Sequence, residues 1–219
     1  MSKILLSKKW EADHTDCDIF SINYSSDNSF IGCGLSNGEI AIYSGTTGRL
    51  SFTLESNPGH LPVIALRFSP NNPKVFLSAS SDGTVLCWNL RTPQICWSFV
   101  EEDNQVFSID ISPKGEKFIS AGLDTKLRLY DFETQELISV FEKTQYEDME
   151  YPGHTNRIFS VLFNPEHPNI MYSSGWDDTI QIWDTRMKGS IHTIFGAHVC
   201  SDSLCYYHDK LAVGSWRTR

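Results

Sequence analysis

Four stretches of the chain repeat one order of polar and apolar positions: Asn37–Tyr43 (Asn-Gly-Glu-Ile-Ala-Ile-Tyr), Asp82–Trp88 (Asp-Gly-Thr-Val-Leu-Cys-Trp), Asp124–Tyr130 (Asp-Thr-Lys-Leu-Arg-Leu-Tyr) and Asp177–Trp183 (Asp-Asp-Thr-Ile-Gln-Ile-Trp). Each opens on Asp or Asn, and an aromatic follows six residues later. The opening residues suit a tight turn, and the alternation behind them ends in β-branched and aromatic residues that fit a pleated surface. A hairpin turn running into a strand is predicted for each.

Upstream of three of these segments lies a second strand ending in small residues, at 76–80, 118–122 and 171–175. Before it comes a third, at 63–68, 106–111 and 158–163, followed by a turn that contains Pro70, Pro113 or Pro165. A fourth follows the aromatic, as at 94–100 and 137–141. Four antiparallel strands per unit are therefore expected. The turn residues are separated by 45, 42 and 53 residues, and Arg217 stands 40 residues after Asp177. Such spacing belongs to propeller blades, and the period of two within each unit excludes helical repeats.

These residues resemble the WD-repeat family. The opening Gly-His of such a repeat appears as Gly59-His60 and Gly153-His154, with Asp13-His14 and Ala197-His198 as weaker forms. The closing dipeptide is Trp183-Asp184, with Trp88-Asn89 and Tyr130-Asp131 as relatives. The resemblance implies an all-β propeller of four-stranded antiparallel blades. His60 precedes Asp82 by 22 residues and His154 precedes Asp177 by 23. In the family that separation sets the imidazole beside the turn carboxylate, where Ser78 or Ser173 and the indole N–H of Trp88 or Trp183 complete a buried hydrogen-bond chain. Ser, His and Asp together suggest a hydrolase triad, but the set recurs in two blades and ends on a Trp donor that occupies the serine. A structural role is expected instead. Blade three lacks the histidine, with Glu101, Glu102 and Asp103 in its neighbourhood, and blade one offers Asn37, Tyr43 and Cys33. Both are expected to be held less rigidly.

The repeats divide the chain into a closing strand at 1–12, blade one at 13–57, blade two at 58–101, blade three at 102–151 with an acidic insertion at 142–151, blade four at 152–196 and part of a fifth blade at 197–219. In the family, a strand such as Lys3–Trp10 completes the last blade of a closed ring. A ring of about seven blades at ~42 residues each needs about 300 residues, so the expectation is a fragment, a truncated isoform or an incomplete gene model, whose open face favours self-association.

A formal charge of −9 opposes broad binding to phosphate backbones or anionic lipid. No apolar run is long enough for a signal peptide or a membrane span. A cytoplasmic or nuclear protein is expected, with other proteins or peptides as partners, no nucleic acid and no membrane. The six cysteines are expected to be reduced. His198, Cys200, Cys205 and His208 match no common zinc spacing, so neither a metal nor a cofactor is expected, and no enzymatic activity.

Three features are candidates for function. Phe20, Ile64, Phe107 and Phe159 follow the first aliphatic of each inner strand. The resemblance sets this position near the central channel, on the face where peptides dock, and aromatics there sandwich an arginine in some members. Packing between blades is the alternative role. The insertion carries Glu142, Glu147, Asp148 and Glu150 with Tyr146 and Tyr151. It reads either as an acidic arm for a basic partner or as an unstructured solvated loop. Finally, Met171–Arg186, ending Trp183-Asp184-Thr185-Arg186, resembles the box of WD-repeat substrate receptors for cullin-RING ubiquitin ligases, with Phe76–Arg91 as a second copy. There Arg186, Asp184 and Arg91 are the residues expected to contact a ligase adaptor. The leading expectation is a non-catalytic scaffold presenting peptide-binding surfaces within a larger complex. A ligase substrate receptor and a channel reader of an Arg- or Lys-containing peptide are the alternatives.

Overall fold

A computed structural model describes residues 10–11, 17–55, 61–146 and 149–216. His14, His60, Arg217, Glu147, Asp148 and all but the end of the expected closing strand lie outside the described residues.

Blade one is the sheet β1 (Ile19–Tyr24), β2 (Phe30–Leu35), β3 (Glu39–Ser44) and β4 (Leu50–Glu55). Blade two is β5 (Val63–Phe68), β6 (Val75–Ser80), β7 (Thr84–Asn89) and β8 (Gln94–Val100). Blade three is β9 (Val106–Ile111), β10 (Lys117–Gly122), β11 (Leu127–Asp131) and β12 (Leu137–Phe141). A small hairpin follows, β13 (Thr144–Tyr146) with β14 (Met149–Tyr151). Blade four is β15 (Ile158–Phe163), β16 (Ile170–Gly175), β17 (Thr179–Asp184) and β18 (Ser190–Phe195), and β19 (Leu204–Tyr207) pairs with β20 (Lys210–Val213) as a hairpin of a fifth. Every pairing is antiparallel and joins neighbours in sequence.

The turn that opens each third strand needs a residue with positive φ. Gly38 (84°) and Gly83 (87°) supply it freely, whereas Thr125 (69°) and Asp178 (61°) hold the same place in blades three and four. Asp tolerates this conformation, but a β-branched Thr does so only under strain. Asn37, Asp82, Asp124 and Asp177 stabilise these turns by accepting a bond from the backbone N–H two residues on.

Each sheet buries both faces, so the apolar core lies between blades. Ile40, Ile42 and Leu54 of blade one meet Val63, Leu66, Phe76 and Trp88 of blade two in one cluster. Ala65, Val85 and Cys87 meet Val106, Ile109, Phe118 and Tyr130 in the next, and Leu127, Leu129 and Phe141 meet Val161, Met171 and Trp183 in the third. Small residues end the second strands because the entry to the first strand of the same blade passes close by: a Cβ on Gly122 or Gly175 would collide with the carbonyl oxygen of Gln105 or Arg157.

The first strands stand side by side around the axis, β1 against β5, β5 against β9, β9 against β15 and β15 against β19. Side chains on one tie down the backbone of the next. Phe68 N donates to Asn23 Oδ1 (3.1 Å), Val161 N to Ser108 Oγ (3.0 Å), Phe163 N to Asp110 Oδ2 (2.7 Å) and Leu204 N to Ser160 Oγ (3.1 Å). Every residue of β9 is buried, while β4, β8, β12 and β18 alternate toward solvent as outermost strands should.

The insertion departs from the loop expected of it. Around the β13–β14 pair, Lys143 Nζ lies 2.9 Å from Glu150 Oε1, and Lys126 Nζ lies 2.8 Å from Glu142 Oε2. Two of its acids are thereby spent on the chain's own lysines.

Candidate functional site

In blade four the expected network is complete. His154 Nδ1 is 2.7 Å from Asp177 Oδ2, His154 Nε2 is 2.7 Å from Ser173 Oγ, and the Trp183 indole N–H donates to the same Ser173 Oγ at 2.7 Å. Asp177 also accepts from the N–H of Thr155 and from Thr179. Burial works to raise the Asp177 carboxyl, but the bonds from His154, Thr155 and Thr179 outweigh it and hold the group below its ordinary value. In blade two, Trp88 Nε1 donates to Ser78 Oγ at 2.9 Å, and Asp82 accepts from Thr84 N at 2.9 Å. His60 falls outside the described residues. Both serines accept from an indole N–H and are fully buried.

Blade three, which lacks the histidine, builds a network of its own. Glu101 precedes Asp124 by 23 residues, the separation of His154 from Asp177, and it fills the histidine's place. Its Oε1 accepts from Tyr130 OH (3.0 Å) and from Ser120 Oγ; its Oε2 accepts from Asn104 Nδ2 (2.7 Å) and Arg128 Nη1 (3.3 Å). Arg128 also pairs with Asp124. Burial, followed by the Glu101 carboxylate, pushes the Tyr130 phenol far above its ordinary value. Blade three thus holds an acid with four donors where blade four holds an imidazole with two partners.

Nearer the axis, Phe20, Ile64, Phe107 and Phe159 converge from four blades on one pocket of about 190 Å³, whose remaining wall is Cys200, Ser201 and Asp202. Phe107 and Phe159 stack with ring centroids 4.8 Å apart and planes 3° from parallel. The row continues from Phe159 to Trp176 at 5.2 Å and from Trp176 to His198 at 6.2 Å, with the Arg157 guanidinium 5.2 Å from the Trp176 ring. Asp202 is held by Arg67 Nη2 (2.6 Å) and Ser160 Oγ (2.8 Å). Arg67 also pairs with Asp110 at 3.2 Å. Burial pushes the Asp110 carboxyl up to about 6 in spite of Arg67. Two carboxyl groups thus share one guanidinium beside an aromatic wall.

Asp202, Trp176 and Arg157 were not anticipated. Leu204 bonds to Ser160 as Val161 bonds to Ser108, which matches Asp202 to Phe159. Four residues separate His198 from Asp202, against five from His154 to Phe159, so counting from the histidine misses the position by one.

The three candidates for adaptor contact lie elsewhere. Arg186 makes a fork with Asp184, Nε to Oδ1 at 2.8 Å and Nη2 to Oδ2 at 2.6 Å, with 71% of its side chain exposed. The side-chain bond from Arg186 holds the Asp184 carboxyl down at about 2. Arg91 is exposed, and its backbone N–H donates to Asn89 at 2.9 Å. Of the four residues weighed as zinc ligands, His198 Nδ1 sits 2.7 Å from Asp178 Oδ1, Cys200 lies on the pocket wall and Cys205 in β19.

Radial four-stranded blades, cores shared between neighbours and a pocket at the inner strands define a β-propeller. The family described as "WD domain, G-beta repeat" matches residues 48–89, 94–131 and 146–184. The chain belongs to this WD-repeat family. It is 26% identical over 190 residues to Periodic tryptophan protein 2 homolog of Dictyostelium discoideum, covering 84% of this chain and 19% of that protein. With the guanine nucleotide-binding protein subunit beta of Solanum tuberosum it shares 27% over 176 residues, 75% of this chain and 44% of that one. The chain thus spans less than half the length of either relative. Among solved structures, a chain in the crystal structure of the mitotic checkpoint complex superposes with a TM-score of 0.72 at 19% identity, covering 86% of this chain and 55% of that one. At that identity the likeness concerns the fold.

Proposed function

We propose that the chain is a non-catalytic protein-interaction scaffold of the cytoplasm or nucleus, and that a partner peptide docks at the inner-strand pocket. The observation that carries this reading is the convergence of Phe20, Ile64, Phe107 and Phe159 from four blades onto one concave site. A rigid scaffold presenting an apolar pocket with a few placed polar groups is the usual form of a binding site. The charge of −9 favours a protein or peptide partner over nucleic acid or anionic lipid.

The peptide feature read there is a cationic side chain. A guanidinium or ammonium stacks favourably on an aromatic face, and the exposed Phe20 ring lines the same pocket as the Asp202 carboxylate. In affinity purification with mass spectrometry, Phe20→Ala and Phe159→Leu lose partners that the unaltered protein retains, while the unfolding free energy of Phe20→Ala stays within about 0.5 kcal/mol of the unaltered protein's because its ring is exposed. Retention of all partners by both variants defeats the reading.

Adaptor docking through Arg186 is the second reading, favoured by its exposure at the end of Met171–Arg186. The adaptor's carboxylate would have to compete with Asp184 for the guanidinium. Arg186→Ala should abolish pull-down of a cullin-RING adaptor, and unchanged capture removes this reading.

A further inference from the structure

In all four blades the ladder between the third and fourth strands slips by one residue just before the aromatic, at Ile42/Tyr43, Cys87/Trp88, Leu129/Tyr130 and Ile182/Trp183. The slip is a β-bulge that leaves one extra residue on the fourth strand opposite that step. The residue before the aromatic and the bulged residue are therefore neighbours: Ile42 with Ser51, Cys87 with Cys96, Leu129 with Ile138 and Ile182 with Ile191. Only in blade two are both cysteine.

The two thiols differ in access. Cys87 is buried at 2% exposure between blades two and three, whereas Cys96 is exposed, and both are free. Cys96 is the neighbouring side chain that, after burial, acts on the Cys87 thiol. Trp97 faces Cys87 and Ile95 faces Trp88, so the unpaired Cys96 stands one position from the residue directly opposite Cys87, inside the bulge.

We propose that Cys96 is an oxidative modification site: a low-molecular-weight disulfide reacts with its exposed thiol, and Cys87 resolves the adduct into a Cys87–Cys96 bridge across the outer hairpin of blade two. In the first step the Cys96 thiolate attacks one sulfur of the small disulfide, forming a mixed disulfide and releasing one small thiolate. In the second the Cys87 thiolate attacks the Cys96 sulfur, the protein disulfide forms and the second small thiolate leaves. The protein loses two electrons and two protons, and the small disulfide becomes two thiols. Burial, with Cys96 beside it, pushes the Cys87 thiol up to about 12. Cys87 is thus the thiol that acts second, and closure is the slower step.

Reduced full-length chain treated with glutathione disulfide, alkylated and cut with trypsin without reductant tests this. Cleavage at Lys74, Arg91 and Lys114 puts the two cysteines in separate peptides, 75–91 and 92–114, so the bridge appears as one cross-linked species. That species should exceed the glutathione adduct. Cys96→Ser should abolish both, and Cys87→Ala should leave glutathione on Cys96. An unaltered chain that stops at the Cys96 adduct, or that pairs Cys96 with another cysteine, overturns the proposal. The peptide map of the unaltered chain decides even if Cys87→Ala fails to fold.

Discussion

Blades three and four bury a serine and an aromatic at the same places in their sheets, yet one closes its polar contacts with a carboxylate and the other with an imidazole. An imidazole has two ring nitrogens, and Asp177 and Ser173 satisfy both. A carboxylate only accepts, and has about four lone-pair sites to fill. Blade three fills them with Ser120, Tyr130, Asn104 and Arg128. The exchange of His for Glu is therefore tied to further differences: Arg128 stands where blade four has Gln181, and Tyr130, whose hydroxyl can reach the acid, stands where blade four has Trp183. A buried polar network stiffens a fold only when each member is satisfied, and the two blades meet that demand by different chemistry.

The sharpest way to break the comparison is to transplant one scheme into the other blade. His154→Glu sets a carboxylate where Gln181 replaces the cation, and should cost about 4 kcal/mol in urea unfolding, as buried charge without a partner does. An effect below about 1 kcal/mol would mean that the cation is not what permits the acid. Glu101→Ala should cost about 3 kcal/mol by the same measurement, because Arg128 and Tyr130 lose their shared acceptor. Trp183→Phe and Tyr130→Phe each remove one donor and should cost about 1 kcal/mol apiece. A much larger loss for Tyr130→Phe alone would show blade three to be the more dependent on its network.

Acid should discriminate the blades as well. The folded-state carboxyl of Asp177 is lowered relative to its ordinary value of 3.8. Its contribution is present above that unfolded value and is lost as pH falls through the folded one. Stability should therefore decline on acidification below about 4, and Asp177→Asn should make the decline shallower. An unchanged slope in urea midpoints against pH would remove Asp177 as its source. The smallest effect is a gain: Thr125→Gly relieves the positive φ of blade three's turn and should add up to about 1 kcal/mol.

Much of this was legible in the sequence, because the repeated element is short and local. The Asp-to-aromatic spacing predicts a turn and a strand, and the Ser-His-Asp-Trp set of blade four is what the resemblance to WD repeats implies at those separations. The four residues of the pocket were likewise within reach, since they hold one position of one strand in successive blades. What escaped was context. Glu101 was in view, but its role depends on Arg128 and Asn104, which only the folded sheet brings to it. Asp202 was hidden by a segment one residue shorter than its counterparts. The insertion stood open between an acidic arm and an unstructured loop, and Lys126, from blade three's turn, pairs with its Glu142 across space.

The central claim is that the blades form a stiff platform and that Glu101 makes blade three as firm as blade four. Native-state hydrogen exchange on the full chain measures this most directly, amide by amide. Protection in β10 and β11 should equal that in β16 and β17 to within about 1 kcal/mol of opening free energy, and should collapse selectively in blade three for Glu101→Ala. Amides of β10 and β11 exchanging far faster than those of β16 and β17 in the unaltered protein would contradict it.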